Sequence, residues 1–212
     1  MAKTDHLIRG RVGNLVFYSV RGETRVRSLP LVKRTLRSPE QEMNRRRLIV
    51  AVRFYQRLKT LRLRDVWREA TRETVINGYN LFLKQNLHVF NEHTLFDPAG
   101  LSMTAGTLPR MNGLTLVGRE ADEVTVAWRN SLEMEGERAH DRLCAVVLFE
   151  GRMYTPLWIE GIRACRRNRS ATFGLGEGWC RRAHLYCFFA SPDGGAYSPS
   201  DYLCVTPKAS AA

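Results

Sequence analysis

The chain has 212 residues, 44% of them hydrophobic, and carries 33 Lys+Arg against 21 Asp+Glu for a formal net charge of +12. That length suits one large domain or two small ones and can bury a real core, while the apolar content excludes wholesale disorder. The longest apolar runs, residues 48–52 and 144–149, fall far short of the roughly 20 residues of a membrane span. Residues 1–10 are polar with no apolar run, so no secretory signal is expected either.

Nearly all the excess charge is N-terminal. Residues 1–97 carry 20 Lys+Arg and 9 Asp+Glu, net +11; residues 98–212 carry 13 and 12, net +1. Such asymmetry points to a polyanionic partner more than a uniformly high isoelectric point does. Of the basic residues 28 are Arg and 5 are Lys. Arginine suits bidentate phosphate contacts. A GC-rich genome gives the same bias, which also runs through the neutral half.

In chain order, residues 15–20 (Leu-Val-Phe-Tyr-Ser-Val) are rich in β-formers, Arg21-Gly22-Glu23 reads as a turn, and residues 24–28 alternate polar and apolar. Together they predict a β-hairpin, with Gly10 and Gly13 shaping its entry and Pro30 ending its second strand. Ser38-Pro39-Glu40-Gln41 predicts a helix start, with a serine cap, proline at the first position and an S-x-x-Q box. The helix is expected to run to about residues 59–61. Arg46, Arg53 and Arg57 fall within about 20° of one direction on it, opposite Leu48, Ala51, Phe54, Tyr55 and Leu58. The triplet Arg45-Arg46-Arg47 sits near the end where the helix dipole disfavours cations, and needs compensation from Glu40 and Glu42 or from a bound phosphate.

A second helix is expected over about 64–74, with Val66, Trp67 and Ala70 inward, and Asn77-Gly78 breaks it. A third is expected over about 79–90, with Leu83, Leu87 and Phe90 inward. Residues 91–100 read as a linker. Beyond it the pattern changes to short strands: 101–107, 114–117, 124–129, 142–149, 154–159, 170–175, 183–190 and 202–206. Residues 124–128 (Val-Thr-Val-Ala-Trp) alternate cleanly, as do Leu185, Cys187 and Phe189 against Tyr186 and Phe188. Seven or eight strands in about 105 residues is the pattern of a sandwich. The expected fold class is α+β: an N-terminal β-hairpin plus helices over residues 1–97, then an immunoglobulin/fibronectin-like antiparallel β-sandwich over 98–212. A small barrel competes with the sandwich.

Catalytic signatures are lacking. There is no G-x-x-x-x-G-K loop, no dinucleotide fingerprint and no G-x-S-x-G. Gly174, Gly176 and Gly178 lie between expected strands with no helix to follow, which makes them a turn. His88 and His93 are five apart, not the four of helical metal ligands, so a solvated or capping role is expected. Asp141, after His140, reads as a turn residue, and Glu133, Glu135 and Glu137 read as solvated charge. Cys144, Cys165, Cys180, Cys187 and Cys204 are odd in number and include no C-x-x-C pair, which suits reduced thiols in a cytoplasmic protein. No cofactor, metal or membrane partner is implied, and the chain reads as non-enzymatic.

Gly10-Arg11-Val12-Gly13-Asn14-Leu15-Val16-Phe17-Tyr18 with Arg25-Val26-Arg27-Ser28-Leu29-Pro30 forms one distinctive segment. With residues 41–54, Trp67 and Asn77-Gly78-Tyr79-Asn80, it resembles an uncharacterised bacterial domain-of-unknown-function family carrying G-x-V-G-x-x-V-x-Y…R-S-x-P. Residues 124–128 and 183–189, with Tyr197-Ser198, are similar to that family's C-terminal segments. The resemblance implies a helical middle and a sandwich-like C-terminal part, and no activity or ligand.

Two functions of different class remain. One is binding of nucleic acid or another polyanion, with Arg21, Arg25, Arg27, Arg45, Arg46, Arg47, Arg53 and Arg57 on phosphates and Tyr18 stacking on a base. In that reading the sandwich serves as an interaction or oligomerisation domain. The other is a structural or assembly role, as in a phage-like particle, in which hairpin strands pair with a neighbour's sheet edge without nucleic acid.

Overall fold

Tight turns at Gly13 (φ 59°) and Gly22 (φ 83°) fold the start of the chain into a small antiparallel sheet. The computed structural model describes residues 8–20, 22–29, 38–61, 63–120, 122–130, 136, 138–176 and 181–206. They belong to two compact units, Met1–Gln41 and Glu42–Ala212. In the first unit β1 (Gly10–Val12), β2 (Leu15–Val20) and β3 (Glu23–Ser28) lie in the order β1-β2-β3. The expected hairpin is β2–β3; β1 adds a third strand through a two-residue Gly13-Asn14 connection, with glycine where a type II′ turn demands positive φ. Arg21 and Pro30 lie outside the described residues.

The boundary between the units falls in the first turn of α1 (Pro39–Leu58). Both halves of its expected box form: Gln41 N–H donates to Ser38 Oγ at 3.2 Å, and Ser38 N–H donates to Gln41 Oε1 at 3.3 Å. In the second unit α1 buries Val50, Ala51, Phe54, Tyr55 and Leu58, a three-and-four spacing that makes one stripe. Leu48, expected inward, is exposed instead because it falls off that stripe.

α2 (Leu63–Glu69) is shorter than its expected 64–74. The Thr71 hydroxyl donates to the carbonyls of Trp67 and Arg68 and closes the last turn. α3 (Gly78–Asn86) is capped by Asn77, whose side chain accepts from Asn80 N–H at 2.8 Å, and tightens into a 3₁₀ turn at Leu87–Val89. Phe82 is fully buried against Phe54, Tyr55 and Trp67. Leu83 and Leu87 pack only at the margin of this cluster.

The rest of the unit is β4 (Asn112–Glu120), β5 (Glu123–Arg129), β6 (Arg142–Phe149), β7 (Leu157–Trp158), β8 (Ser170–Gly174), β9 (Ala183–Ala190) and β10 (Asp201–Val205). They form two antiparallel sheets, ordered β4-β5-β8 and β10-β9-β6-β7. Strand β6 pairs with β9, not with its chain neighbour β5, and this crossover between sheets is the immunoglobulin/fibronectin-like arrangement. The fold class is therefore α+β with a two-sheet sandwich, not a closed barrel. Val124, Val126 and Trp128 face Leu143, Ala145, Val147, Leu185, Cys187 and Phe189 in the interior.

The other face of the four-stranded sheet is also covered. Val146, Leu148, Tyr186 and Phe188 share a core with Phe54, Leu58, Trp67 and Phe82 of the helices. Every residue of β9 is consequently buried. Helices and sandwich thus share a core, and the charge step at residue 97 lies inside this second unit.

Residues 101–107, expected as a strand, are not one. Leu101, Met103 and Ala105 are buried, as is Thr104; it is the alternation of these apolar residues with Ser102 and Thr104 in the sequence that produces the strand-like pattern. Much of the backbone bonding there is to side chains: Ser102 exchanges two hydrogen bonds with the Asn86 carboxamide. Met103 N–H donates to Ser200 Oγ, and Trp67 Nε1 donates to the Met103 carbonyl.

Candidate nucleic-acid interface

Register decides what the first unit presents. Tyr18 lies opposite Arg25, and Val16 lies between Arg27 on β3 and Arg11 on β1. Directly opposed residues share a face and alternate residues along a strand do too. Arg11, Arg25, Arg27, Val16 and Tyr18 therefore stand on one face. Val12, Leu15, Phe17 and Val26 stand on the other. All three arginines and Tyr18 are exposed. Arg25 meets Glu23 at 3.6 Å, an exposed pair that solvent screens and that leaves the guanidinium available. Arg11 donates from Nε to the Gly13 carbonyl at 2.9 Å, which fixes it beside the turn. Arg11 was not among the arginines singled out from sequence. Its signal was the Gly13-Asn14 pair, a two-residue hairpin connection that implies a strand before it.

The arginines of α1 divide into two groups. Arg45 and Arg46 each reach Glu42 at 3.7 Å, and Arg46 reaches Glu92 at 3.6 Å. Carboxylates thus compensate the charge near the helix start. Arg47 donates to the carbonyls of Phe90 at 2.6 Å and His88 at 3.4 Å, tying α1 to the end of the α3 segment. Arg53 and Arg57, one turn apart, line an open cleft of about 430 Å³ with Val50, Gln56, Thr60, His93 and Tyr154. Among the described residues neither has an acidic partner within 4.0 Å. Tyr154 donates to the His93 carbonyl at 3.2 Å. Burial pushes its phenol up, against the opposing pull of the Thr94 hydrogen bond and the Arg53 charge. The structure thus gathers Tyr18, Arg25 and Arg27 on one sheet face and Arg53 and Arg57 in one cleft, while Arg45, Arg46 and Arg47 have partners within the fold.

No family model and no curated protein matches the chain. Solved structures that resemble part of it include the following two. One is a solution structure of the fn3 domain of human contactin 1, at 14% identity over 50% of this chain and 84% of that one, with a TM-score of 0.33. The other is a crystal structure of the FN1–FN3 domains of chicken CNTN1, at 11% identity over 50% of this chain and 34% of that one, with a TM-score of 0.35.

Asp141, read from sequence as a turn residue, and Arg166, which the sequence did not single out, meet inside the sandwich. Asp141 and Arg166 have side chains 1% exposed, with Nε to Oδ2 at 3.3 Å. Arg166 also donates to the Pro109 carbonyl at 2.9 Å and lies 3.9 Å over the Phe189 ring. Its own carbonyl accepts from Trp128 Nε1 and Asn130 Nδ2. Asp141 thus closes a turn, its N–H donating to the Arg138 carbonyl at 3.1 Å, while its side chain is a buried anchor. Burial pushes its carboxyl up despite the Arg166 charge, and burial also pulls the Arg166 guanidinium down.

Cys144, Cys165, Cys187 and Cys204 are free thiols; burial pushes the Cys144 thiol up to about 11, which leaves it protonated at neutral pH. Cys180, Glu133, Glu135, Glu137 and Gly178 lie outside the described residues. Among the described residues no group of three or more His, Cys, Asp and Glu side chains could hold a metal ion.

Proposed function

We propose that this protein is a non-enzymatic polyanion-binding protein whose contact surface for nucleic acid is the basic face of its N-terminal sheet. The observation that carries this reading is the strand register, which sets Arg11, Arg25 and Arg27 around Tyr18 on one exposed face. Guanidiniums spaced along adjacent strands meet successive phosphates, and a phenol ring between them offers a stacking platform for a base. The sandwich then serves as the interaction domain.

A titration of the full chain against labelled single strand and labelled duplex, across a salt series, tests it. Each duplex phosphate contact contributes roughly −0.9 to the slope of log K against log salt. Three arginine contacts predict a slope near −3, and Arg25→Gln with Arg27→Gln removes about 2 of it. No binding at low salt, or an unchanged slope in that variant, refutes the assignment.

A second reading rests on the opposite face. Val12, Leu15 and Val26 are 67%, 43% and 49% exposed, and among the described residues the sheet has open edges at β1 and β3. Open edges and an apolar face favour pairing with a second copy. Light scattering on nuclease-treated protein separates the two: self-association that persists and is abolished by Val12→Lys with Val26→Lys favours assembly.

A further inference from the structure

We propose that the cleft lined by Arg53, Arg57, Gln56, Thr60, His93 and Tyr154 binds the terminal phosphoryl group of a phosphate monoester. This site belongs to the second unit and does not rest on the reading of the N-terminal sheet. Three observations converge on it. First, Arg53 and Arg57 project from successive turns of α1 into the same concavity. Among the described residues they have no acidic partner within 4.0 Å, whereas Arg45 and Arg46 on the same helix do. The nearby Glu92 is engaged by Arg46 at 3.6 Å.

Second, the wall is braced before any ligand arrives. The Tyr154 ring stands edge-on to the buried Phe54 ring at 6.3 Å, and its hydroxyl is tied to the His93 carbonyl. The Thr60 hydroxyl is tied to the Arg57 carbonyl at 2.7 Å. A site fixed in this way loses little entropy on binding. Third, about 430 Å³ lies within the roughly 300–1,000 Å³ of small-molecule sites. A concavity that size has room for a mononucleotide or a free strand end.

Two guanidiniums select charge as well as shape. A terminal phosphoryl carries about −1.5 to −2 near neutral pH, against −1 for an internal diester, and presents three equivalent acceptor oxygens. Two charge-assisted forks gain more from the former, which has the larger charge and one more acceptor oxygen. Val50 and the Tyr154 ring supply apolar surface for the rest of the ligand.

The test is calorimetric titration of the full chain with inorganic phosphate, a nucleoside 5′-monophosphate, the matching nucleoside, and a short oligonucleotide with and without a 5′-phosphate. Arg53→Gln with Arg57→Gln changes two exposed side chains and leaves the buried stripe of α1 intact; unfolding curves verify that it folds. Saturable binding of the monophosphate, weakened at least about tenfold in that variant and unchanged in Arg25→Gln with Arg27→Gln, is expected. Tighter binding of the oligonucleotide with a 5′-phosphate than of the same oligonucleotide without it, lost in the Arg53/Arg57 variant, assigns the site to strand ends; monophosphate binding with no such difference assigns it to a small molecule. Nucleoside and nucleotide binding alike, unchanged affinity in the Arg53/Arg57 variant, or no saturable binding of any phosphorylated probe overturns the proposal.

Discussion

Arg166→Met is the most informative single change in the sandwich. The Arg166 and Asp141 side chains are both 1% exposed, so removing the guanidinium leaves a carboxylate with neither water nor its partner. Loss of one member of a buried pair costs about 3–5 kcal/mol. Arg166 also holds the Pro109 carbonyl before β4 and covers the Phe189 ring on β9, so one residue joins both sheets at the same end. We take about 4 kcal/mol for the single substitution, which lowers Tm by about 8–16 °C for a protein of this size. Burial pushes both members toward their neutral forms, so the pair's desolvation outweighs its attraction. Removing both charges should therefore recover part of the loss. Asp141→Leu keeps the branched shape of aspartate, and combined with Arg166→Met it removes both buried charges and leaves the Pro109 carbonyl unpaired, a cost of about 1–3 kcal/mol. The double variant is expected to be about 2 kcal/mol more stable than Arg166→Met alone in urea unfolding monitored by tryptophan fluorescence. A single variant costing under about 1 kcal/mol, or a double variant no better than the single, refutes this account.

Two other perturbations follow from the same core. A Cβ on Gly106 falls on the Tyr197 carbonyl oxygen, which already accepts from Leu108 N–H at 2.9 Å and cannot swing away without losing that bond. Gly106→Ala should cost about 3 kcal/mol in urea unfolding, an overpacking penalty. His184 is buried against Tyr202, with Nδ1 2.9 Å from the hydroxyl, and burial lowers its pKa against the opposing pull of Glu150. The unfolded chain takes up this proton near pH 6.5 and the folded chain only below that, so stability is present above pH ~6.5 and falls as pH drops. The slope cannot exceed about 1.4 kcal/mol per pH unit, and His184→Gln should flatten it in urea midpoints measured between neutral and mildly acidic pH.

What the sequence made legible was what local chemistry decides. The Ser38–Gln41 box, the alternation through Val124, Val126 and Trp128, and the glycine turns are short-range signals, and all are present in the fold. Residues 101–107 misled because apolar Leu101, Met103 and Ala105 alternate with polar Ser102 and Thr104 at the strand period, while the segment's backbone bonds to side chains and not to a neighbouring strand. The cover on the second face of β9 was similarly hidden. Tyr186, Phe188 and His184 fit an exposed sheet face as well as a buried one until the helices are laid on it. Arg166 had no local mark, being one arginine among Arg163, Arg167 and Arg169.

The same reasoning explains why counting arginines could not identify a binding surface. Sequence registers a charge whether it is free or spent, and α1 contains both kinds. Arg47 holds two carbonyls of the fold, while Arg45 and Arg46 pair with Glu42 and Glu92 at the surface, where solvent screens them as it does Arg25 and Glu23. Arg53 and Arg57 lie on the same helix with no such partner among the described residues, and they open onto a braced concavity. Arg25, Arg27 and the unanticipated Arg11 share a face only because β1 adds to the hairpin in one register; a shift of one residue would send Arg11 to the side of Phe17 and Val26. Within the charge excess of +11 over residues 1–97, partner and register thus distinguish arginines tied into the fold from two separate groups, one on a sheet face and one in a cleft.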